Sequence, residues 1–216
     1  MQKPAIRAVL FDFGGVMTTS PFDAFHRFER ERGLPHGFLQ QLNRTDPDNN
    51  AWARFERGEL SPQSFDQLFA TESRGAGHEV RGLEVVALVF GAVRPRMVSA
   101  VKHCHGKFIT ACLTNNFRHS PADASSAEKV RAQEWKDALA LFDQVIESSK
   151  VGVRKPEKAF FEFACNKLSI KPVEAVFLDD LGSNLKPARA MGMHTIKVTD
   201  PDVALAELAA VLQIDL

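Results

Sequence analysis

The feature that most constrains the fold is a series of short apolar runs, separated in the second half of the chain by helical patterns. The runs are rich in valine, isoleucine, leucine and phenylalanine without clean alternation, which is typical of parallel strands covered on both faces. Strands that alternate with helices favour a doubly wound α/β sheet. The predicted strands are 6–12, 108–114, 142–147, 175–179 and 194–198.

Residues 20–90 interrupt this alternation with amphipathic helical stretches and no convincing strand. We therefore predict an α/β core formed by residues 1–19 and 91–216, and a helical cap, residues 20–90, inserted after the first strand. The polar segment 118–139 is a second insertion, predicted as either a flap or a surface helix. The predicted helices are 22–32, 38–43, 51–57, 62–73, 83–90, 95–105, 156–168 (with Pro156 in its first turn), 185–191 and 203–212.

Charge and composition exclude several classes of protein. The 27 basic and 27 acidic residues balance, so no net field favours nucleic acid or an anionic membrane. No apolar run reaches the roughly 18 residues of a membrane-spanning helix, and the first run is too short for a signal peptide. Three cysteines in apolar segments are predicted to be buried thiols. We expect a cytoplasmic protein whose oligomeric state is open.

Polar residues lie at or beyond the ends of the first three predicted strands. Asp12 ends the first strand and precedes two glycines, where the backbone can turn sharply and approach a ligand. Thr114 ends the second strand and is followed by Asn115 and Asn116. Lys155 precedes a proline, which disfavours helical backbone, so we expect it in an extended segment or a turn. An ammonium there could bind a phosphate or a carboxylate. Taken singly, each also fits a turn, a helix cap or a solvated loop.

The pair Asp179-Asp180 closes a very apolar strand. Two adjacent carboxylates disfavour each other's ionisation unless a cation lies between them. Mg²⁺ is commonly held by one or two carboxylates together with waters and substrate oxygens. Because the carboxyl ends of parallel strands meet in one crevice, the sequence predicts a magnesium site there.

Together these motifs resemble the haloacid dehalogenase-like hydrolase superfamily, in the subgroup with a helical cap between the first two motifs. The chain is most similar to the N-terminal phosphatase domain of soluble epoxide hydrolases and to related domains of acyl-CoA dehydrogenase relatives. The resemblance implies a doubly wound, Rossmann-like core and covers the whole length. The stretches that carry it most strongly are 52–60, 151–157 and 177–189.

The resemblance implies a role for each candidate residue. Asp12 would be the nucleophile, Thr114 would bind phosphoryl oxygens and Lys155 would offset their charge. Mg²⁺ would be held by Asp12, the backbone carbonyl of Gly14 and Asp180, with Asp179 either binding it or supporting Asp180. The residues implied in binding a small phosphorylated substrate are Asn115, Asn116, Asn184, and, in the cap, Arg57 and Glu59.

Position 14 departs from the family pattern. Phosphatases of the family carry a general acid two residues after the nucleophile, and this chain has Gly14 instead. General acid–base catalysis contributes about 10²–10⁴-fold in rate. The sequence therefore predicts a phosphatase that is weak or restricted to good leaving groups. A non-catalytic binding protein on the same fold and, less favoured, a dehalogenase-type hydrolase are the alternatives.

Overall fold

The computed structural model describes residues 5–117 and 126–216. In these residues five parallel strands form one sheet with the order β3-β2-β1-β4-β5. Every strand falls within a predicted range, so the predicted parallel sheet is confirmed. The strands are β1 Ala8–Phe11, β2 Ile109–Thr114, β3 Gln144–Glu147, β4 Ala175–Asp179 and β5 His194–Lys197.

Most helices of the described residues lie in intervals that the sequence assigned to helices, but the short helix Ser148–Val151 was not predicted. The first five lie between β1 and β2: α1 Phe22–Glu31, α2 Phe38–Arg44, α3 Ala51–Glu56, α4 Pro62–Gly75 and α5 Gly82–Leu88. The others are α6 Pro95–Cys104, α7 Ser126–Leu139, α8 Ser148–Val151, α9 Lys158–Leu168, α10 Gly182–Ala190 and α11 Pro201–Leu212.

The structure corrects one detail of the prediction and decides another that was left open. Pro156 does not lie in the first turn of α9, which begins at Lys158; instead it belongs to a turn closed by a 2.8 Å hydrogen bond from the amide of Glu157 to the carbonyl of Arg154. In the second insertion, residues 126–139 form a surface helix, and residues 118–125 lie outside the described residues.

Three apolar clusters hold these elements. One cluster lies between the sheet and helices α6 and α11, and a second lies on the opposite face against α9 and α10. The sheet is therefore covered on both sides, which explains why its strands lack alternation. The third cluster lies within the helices between β1 and β2.

The third cluster supports the proposed cap, whose boundaries at 19–20 and 90–91 stay a prediction. Thr18 and Val93 pair in an antiparallel bridge where the chain leaves and re-enters the sheet region. All three cysteines are buried thiols, as predicted. None of the described helices combines the length and the apolar character that crossing a membrane requires.

Candidate active site

Strand register brings the first and fourth motifs together. Phe11 at the end of β1 pairs with Leu178 of β4, and the amide of Asp12 donates to the carbonyl of Leu178 at 2.8 Å. The Asp12 residue is 7% exposed, and its carboxylate accepts a 2.6 Å hydrogen bond from the amide of Phe13. Asp12 therefore lies at the carboxyl edge of the central strand, beside the acidic pair that ends β4.

A turn at residues 13–17 carries the chain away from Asp12. Gly15 has φ +78°, which L side chains rarely adopt, and a Cβ there would lie 2.3 Å from Oδ2 of Asp180. The glycine thus allows the Asp180 carboxylate to approach the turn. Gly14 has φ −69°, and a Cβ at that position meets nothing within 4 Å. The site accordingly has room for a side chain at position 14.

Lys155 joins the two carboxylates. Its Nζ lies 2.7 Å from Oδ1 of Asp12 and 2.8 Å from Oδ2 of Asp179, and the residue is 1% exposed. Burial alone would lower the pKa of Lys155, but the two carboxylates raise it above its ordinary value. Lys155 is therefore a charged ammonium in the site. By contrast, Lys150 is exposed and pairs with Glu147.

Carboxylates outnumber cations at this edge of the sheet. Oxygens of Asp12, Asp179 and Asp180 lie within 4.8 Å of one another, and the Lys155 ammonium contacts two of these three carboxylates. Burial raises the pKa of Asp12 to about 8 and that of Asp180 to about 6, and the neighbouring carboxylates add to both shifts. Three carboxylates whose ionisation is disfavoured without a cation, and an oxygen-only donor set, fit Mg²⁺.

The two acids that end β4 have different surroundings. Asp179 is fully buried, and its carboxylate accepts from Lys155, from the Leu181 amide at 2.8 Å and from Asn184 Nδ2 at 3.0 and 3.1 Å. Asp180 is half-buried, and none of the described side chains donates a hydrogen bond to it. This arrangement favours Asp180 as a direct ligand and Asp179, steadied by Asn184, as the residue that orients Lys155.

The last residue of β2 and the two asparagines after it lie beside the loop that carries Lys155. The side chain of Thr114 is buried at the end of the strand. Asn115 accepts from the Lys155 amide and donates to the Lys155 carbonyl, both at 2.9 Å. Asn116 donates to Glu147 at 2.6 Å and accepts from the Ser149 hydroxyl at 2.9 Å. Both asparagines therefore hold loops in place, and their predicted contact with substrate stays a prediction.

Arg57 and Glu59 lie just beyond α3. Arg57 donates to Glu59 at 2.6 Å, to the Asp48 carbonyl at 2.6 Å and to Glu157 at 3.2 Å. Between them, a Cβ at Gly58 would lie 2.6 Å from the Ser149 carbonyl. This loop thus packs directly on the core next to the candidate site. Its predicted role in reading the leaving group stays a prediction.

Glu56 is a buried residue for which the sequence predicted no role. Its carboxylate accepts from Trp52 at 2.9 Å, from Asn115 at 3.1 Å and from Arg154 at 2.5 Å. It therefore ties α3 to two loops of the core, one of which carries Lys155. The available signal was a glutamate four residues after Trp52 and next to Phe55, on the apolar face of a helix.

A model of the haloacid dehalogenase-like hydrolase family matches residues 6–192. The chain belongs to this family. The matched range includes the site residues described above, from Asp12 through Lys155 to Asn184. The predicted family membership and the assignment as a hydrolase are thus confirmed.

Curated relatives extend this assignment. The chain is 35% identical to mouse acyl-CoA dehydrogenase family member 10, over 95% of this chain and 19% of the relative. It is 32% identical to pig bifunctional epoxide hydrolase 2, over 98% of this chain and 40% of the relative. The chain thus spans well under half of these two relatives. It is 27% identical to the sesquiterpene phosphatase AstK of Aspergillus oryzae, over 94% of both.

A solved structure shows the same fold. It is a haloacid dehalogenase family enzyme of Bacteroides thetaiotaomicron in complex with magnesium and inorganic phosphate, 19% identical to this chain. The alignment covers 89% of this chain and 94% of that one, with a TM-score of 0.57. At this identity, the likeness supports the α/β fold of the hydrolase family.

Proposed function

We propose that this protein is a Mg²⁺-dependent phosphatase that hydrolyses a small phosphorylated metabolite through an aspartyl-phosphate on Asp12. The observation that carries the proposal is the buried Asp12 carboxylate, held 2.7 Å from Lys155 and beside Asp179 and Asp180. This cluster combines a nucleophile, a fixed cation and a set of oxygen ligands for a metal ion.

The residues divide the reaction into two displacements. An oxygen of Asp12 attacks phosphorus and the alcohol oxygen of the substrate leaves with its electron pair, giving an acyl phosphate. Water then attacks phosphorus as the Asp12 carboxylate leaves, and a proton of this water passes through solvent to the released alkoxide. The products are the alcohol and inorganic phosphate, and the carboxylate is restored. Lys155 offsets the charge of nucleophile and phosphoryl group, and Asp179 keeps its ammonium in position.

The metal would complete the charge balance. Asp12, Asp180 and the backbone carbonyl of Gly14 are the groups that would hold Mg²⁺, which would neutralise phosphoryl oxygens as a Lewis acid. Thr114, buried at the end of β2, would donate a hydrogen bond to the phosphoryl group. Asn115 fixes the backbone of Lys155 and so positions its ammonium.

Gly14 determines which substrates would react quickly. The position has no acid to protonate the departing alkoxide, so poor leaving groups would be slow. Acyl and aryl phosphates leave as stable anions and depend less on an acid. We therefore propose that the enzyme prefers such phosphates, or turns over alkyl phosphates weakly.

The relatives are consistent with this reaction. AstK, which this chain matches along most of its length, is named a sesquiterpene phosphatase. The Bacteroides enzyme of the same fold binds magnesium and inorganic phosphate together. By comparison, displacement of halide from carbon needs no metal ion, so a dehalogenase would have no use for Asp180 as a metal ligand.

Hydrolysis of p-nitrophenyl phosphate and acetyl phosphate tests the proposal. Phosphate release is measured with Mg²⁺ and with EDTA, for wild type, Asp12→Asn and the control Asp215→Asn, which alters an exposed aspartate near the C-terminal end. We expect turnover that requires Mg²⁺, disappears in Asp12→Asn and persists in the control.

Two results contradict the proposal. Activity that survives in folded Asp12→Asn would mean that another group is the nucleophile. Lack of turnover of both substrates, with Mg²⁺ binding measured independently, would favour a binding protein on a hydrolase fold.

A further inference from the structure

A second cluster of side chains of the types that bind metal ions lies among the helices between β1 and β2. His26 and Glu29 are one turn apart on α1, and His36 lies in the loop before α2. Donor atoms of the three residues lie within 4.8 Å of one another. The two imidazole rings are tilted by 41° to each other, with centroids 4.4 Å apart. None of these residues belongs to the candidate active site.

Glu29 is the buried member of the cluster. It is 1% exposed, and its two oxygens accept from the amides of Gly37 at 2.8 Å and Leu39 at 2.9 Å. Among the described residues, no lysine or arginine forms a salt bridge with it. Buried carboxylates are normally paired with a cation or coordinate a metal. The two amide bonds orient the carboxylate and leave lone pairs on both oxygens.

Both histidines are available as ligands. In the described part of the chain, neither ring donates or accepts a hydrogen bond with another group. His26 is half-buried and His36 is exposed, so an ion can reach the cluster from solvent. Neutral imidazole nitrogens select Zn²⁺ and similar transition metals, whereas Mg²⁺ prefers oxygen ligands.

We propose that His26, Glu29 and His36 form a binding site for a divalent transition metal such as Zn²⁺, separate from the Mg²⁺ site. Two imidazole nitrogens and one carboxylate oxygen are a common set of three protein ligands for zinc, with water in the fourth position. Zn–N bonds are about 2.0–2.1 Å long, and the exposed His36 side chain can turn to meet them. Hydrogen bonds from backbone amides to the ligand carboxylate are the support such sites require.

The ion would link α1 to the loop before α2. Glu29 already holds this loop through Gly37, and His36 would add a second connection from the adjacent residue. The site does not depend on the phosphatase proposal, because it shares no residue with that reaction. Metal binding at this site can therefore be measured without reference to the chemistry at Asp12.

Calorimetric titration with Zn²⁺ tests this site. The protein carries no affinity tag, and Mg²⁺ is kept saturating so that the active-site carboxylates do not compete. His26→Ala and His36→Ala are compared with wild type and with the control His103→Ala, which removes an exposed histidine from α6. We expect one Zn²⁺ to bind per chain, at least about tenfold more weakly in the first two variants and unchanged in the control.

Absorption of bound Co²⁺ gives a second readout, since the intensity and position of its visible bands report the number and type of its ligands. We expect these bands in wild type and in His103→Ala, and their loss in His36→Ala, whose exposed position makes misfolding no concern. Zn²⁺ affinity that is equal in wild type and His36→Ala would overturn the proposal. So would a wild-type protein that binds no Zn²⁺.

Discussion

At the scale of single residues, the turn after Asp12 has space for a side chain where the sequence has none. Gly14 adopts φ −69° and ψ 126°, which any L residue can adopt, and a Cβ there is free of contacts within 4 Å. Gly15, one residue on, is the opposite case, because both its φ and the Asp180 carboxylate exclude a side chain. The backbone therefore does not require glycine at position 14.

Gly14→Asp should increase the turnover of alkyl phosphates. The new carboxyl group would supply the proton that the leaving alkoxide lacks, which is worth about 10²–10⁴-fold. The gain should be much smaller for p-nitrophenyl phosphate, whose leaving group needs little protonation. The measurement is kcat for glycerol phosphate and for p-nitrophenyl phosphate in wild type and variant.

Gly14→Asn is the matched control, since it has the same size without an acid. An equal gain in Gly14→Asn would show that the side chain acts by packing and not by proton transfer. If folded Gly14→Asp gains nothing, the site differs from an active phosphatase in more than this residue.

At the scale of elements, the end of α3 is linked to the loop that carries Lys155. Glu56 accepts from Arg154 and Asn115, and Asn115 bonds both the amide and the carbonyl of Lys155. A second connection runs from Arg57 to Glu157 at 3.2 Å. The position of α3 and the backbone of Lys155 are therefore coupled through partly buried hydrogen bonds.

Glu56→Gln should weaken this coupling. A carboxamide has one acceptor oxygen, so its NH₂ group would face one of the donors that the carboxylate now satisfies. We expect a loss of about 1–3 kcal/mol in the free energy of unfolding, and a lower kcat because Lys155 is held less firmly. Urea denaturation and p-nitrophenyl phosphate hydrolysis measure the two effects.

Glu59→Gln serves as the control for stability. Its side chain is 43% exposed and pairs with Arg57 and Arg54 at the surface, so its free energy of unfolding should change by less than about 0.5 kcal/mol. An equal loss in both variants would contradict a special role for Glu56. A KM unchanged in Glu59→Gln would count against the proposed reading of the leaving group by this loop.

At the scale of the whole molecule, the Mg²⁺ ligands come together only on folding. Asp12 follows β1 and Asp180 follows β4, and the parallel pairing of these strands makes them neighbours. An ion that binds the folded chain alone adds its binding energy to stability, about 2.7 kcal/mol at 100 times its Kd. Folding and metal binding are accordingly linked.

Mg²⁺ should therefore raise the Tm of the protein by several degrees, and EDTA should reverse the shift. For a chain of this size each kcal/mol corresponds to about 2–4 °C. The shift should disappear in Asp180→Asn and persist in Asp215→Asn, as measured by thermal unfolding at increasing Mg²⁺. A full shift in Asp180→Asn would show that the ion is bound elsewhere.

The sequence by itself determined the parallel strands, the helices between β1 and β2, and the polar residues at the strand ends. These features are local, because a buried strand requires a continuous apolar run and a turn requires particular residues at its end. Asp12, Lys155 and Asp179 were selected in this way, and the structure brings them within hydrogen-bond distance.

Only the tertiary structure decided which polar groups meet across long separations. Glu56 contacts Asn115 at a separation of 59 residues and Arg154 at 98, and no local pattern encodes such pairs. The turn at Pro156 and the meeting of His26 with His36 likewise depend on packing. The physical reason is that periodicity records which face of an element is buried, whereas the partner of a buried charge is set by how separate elements pack.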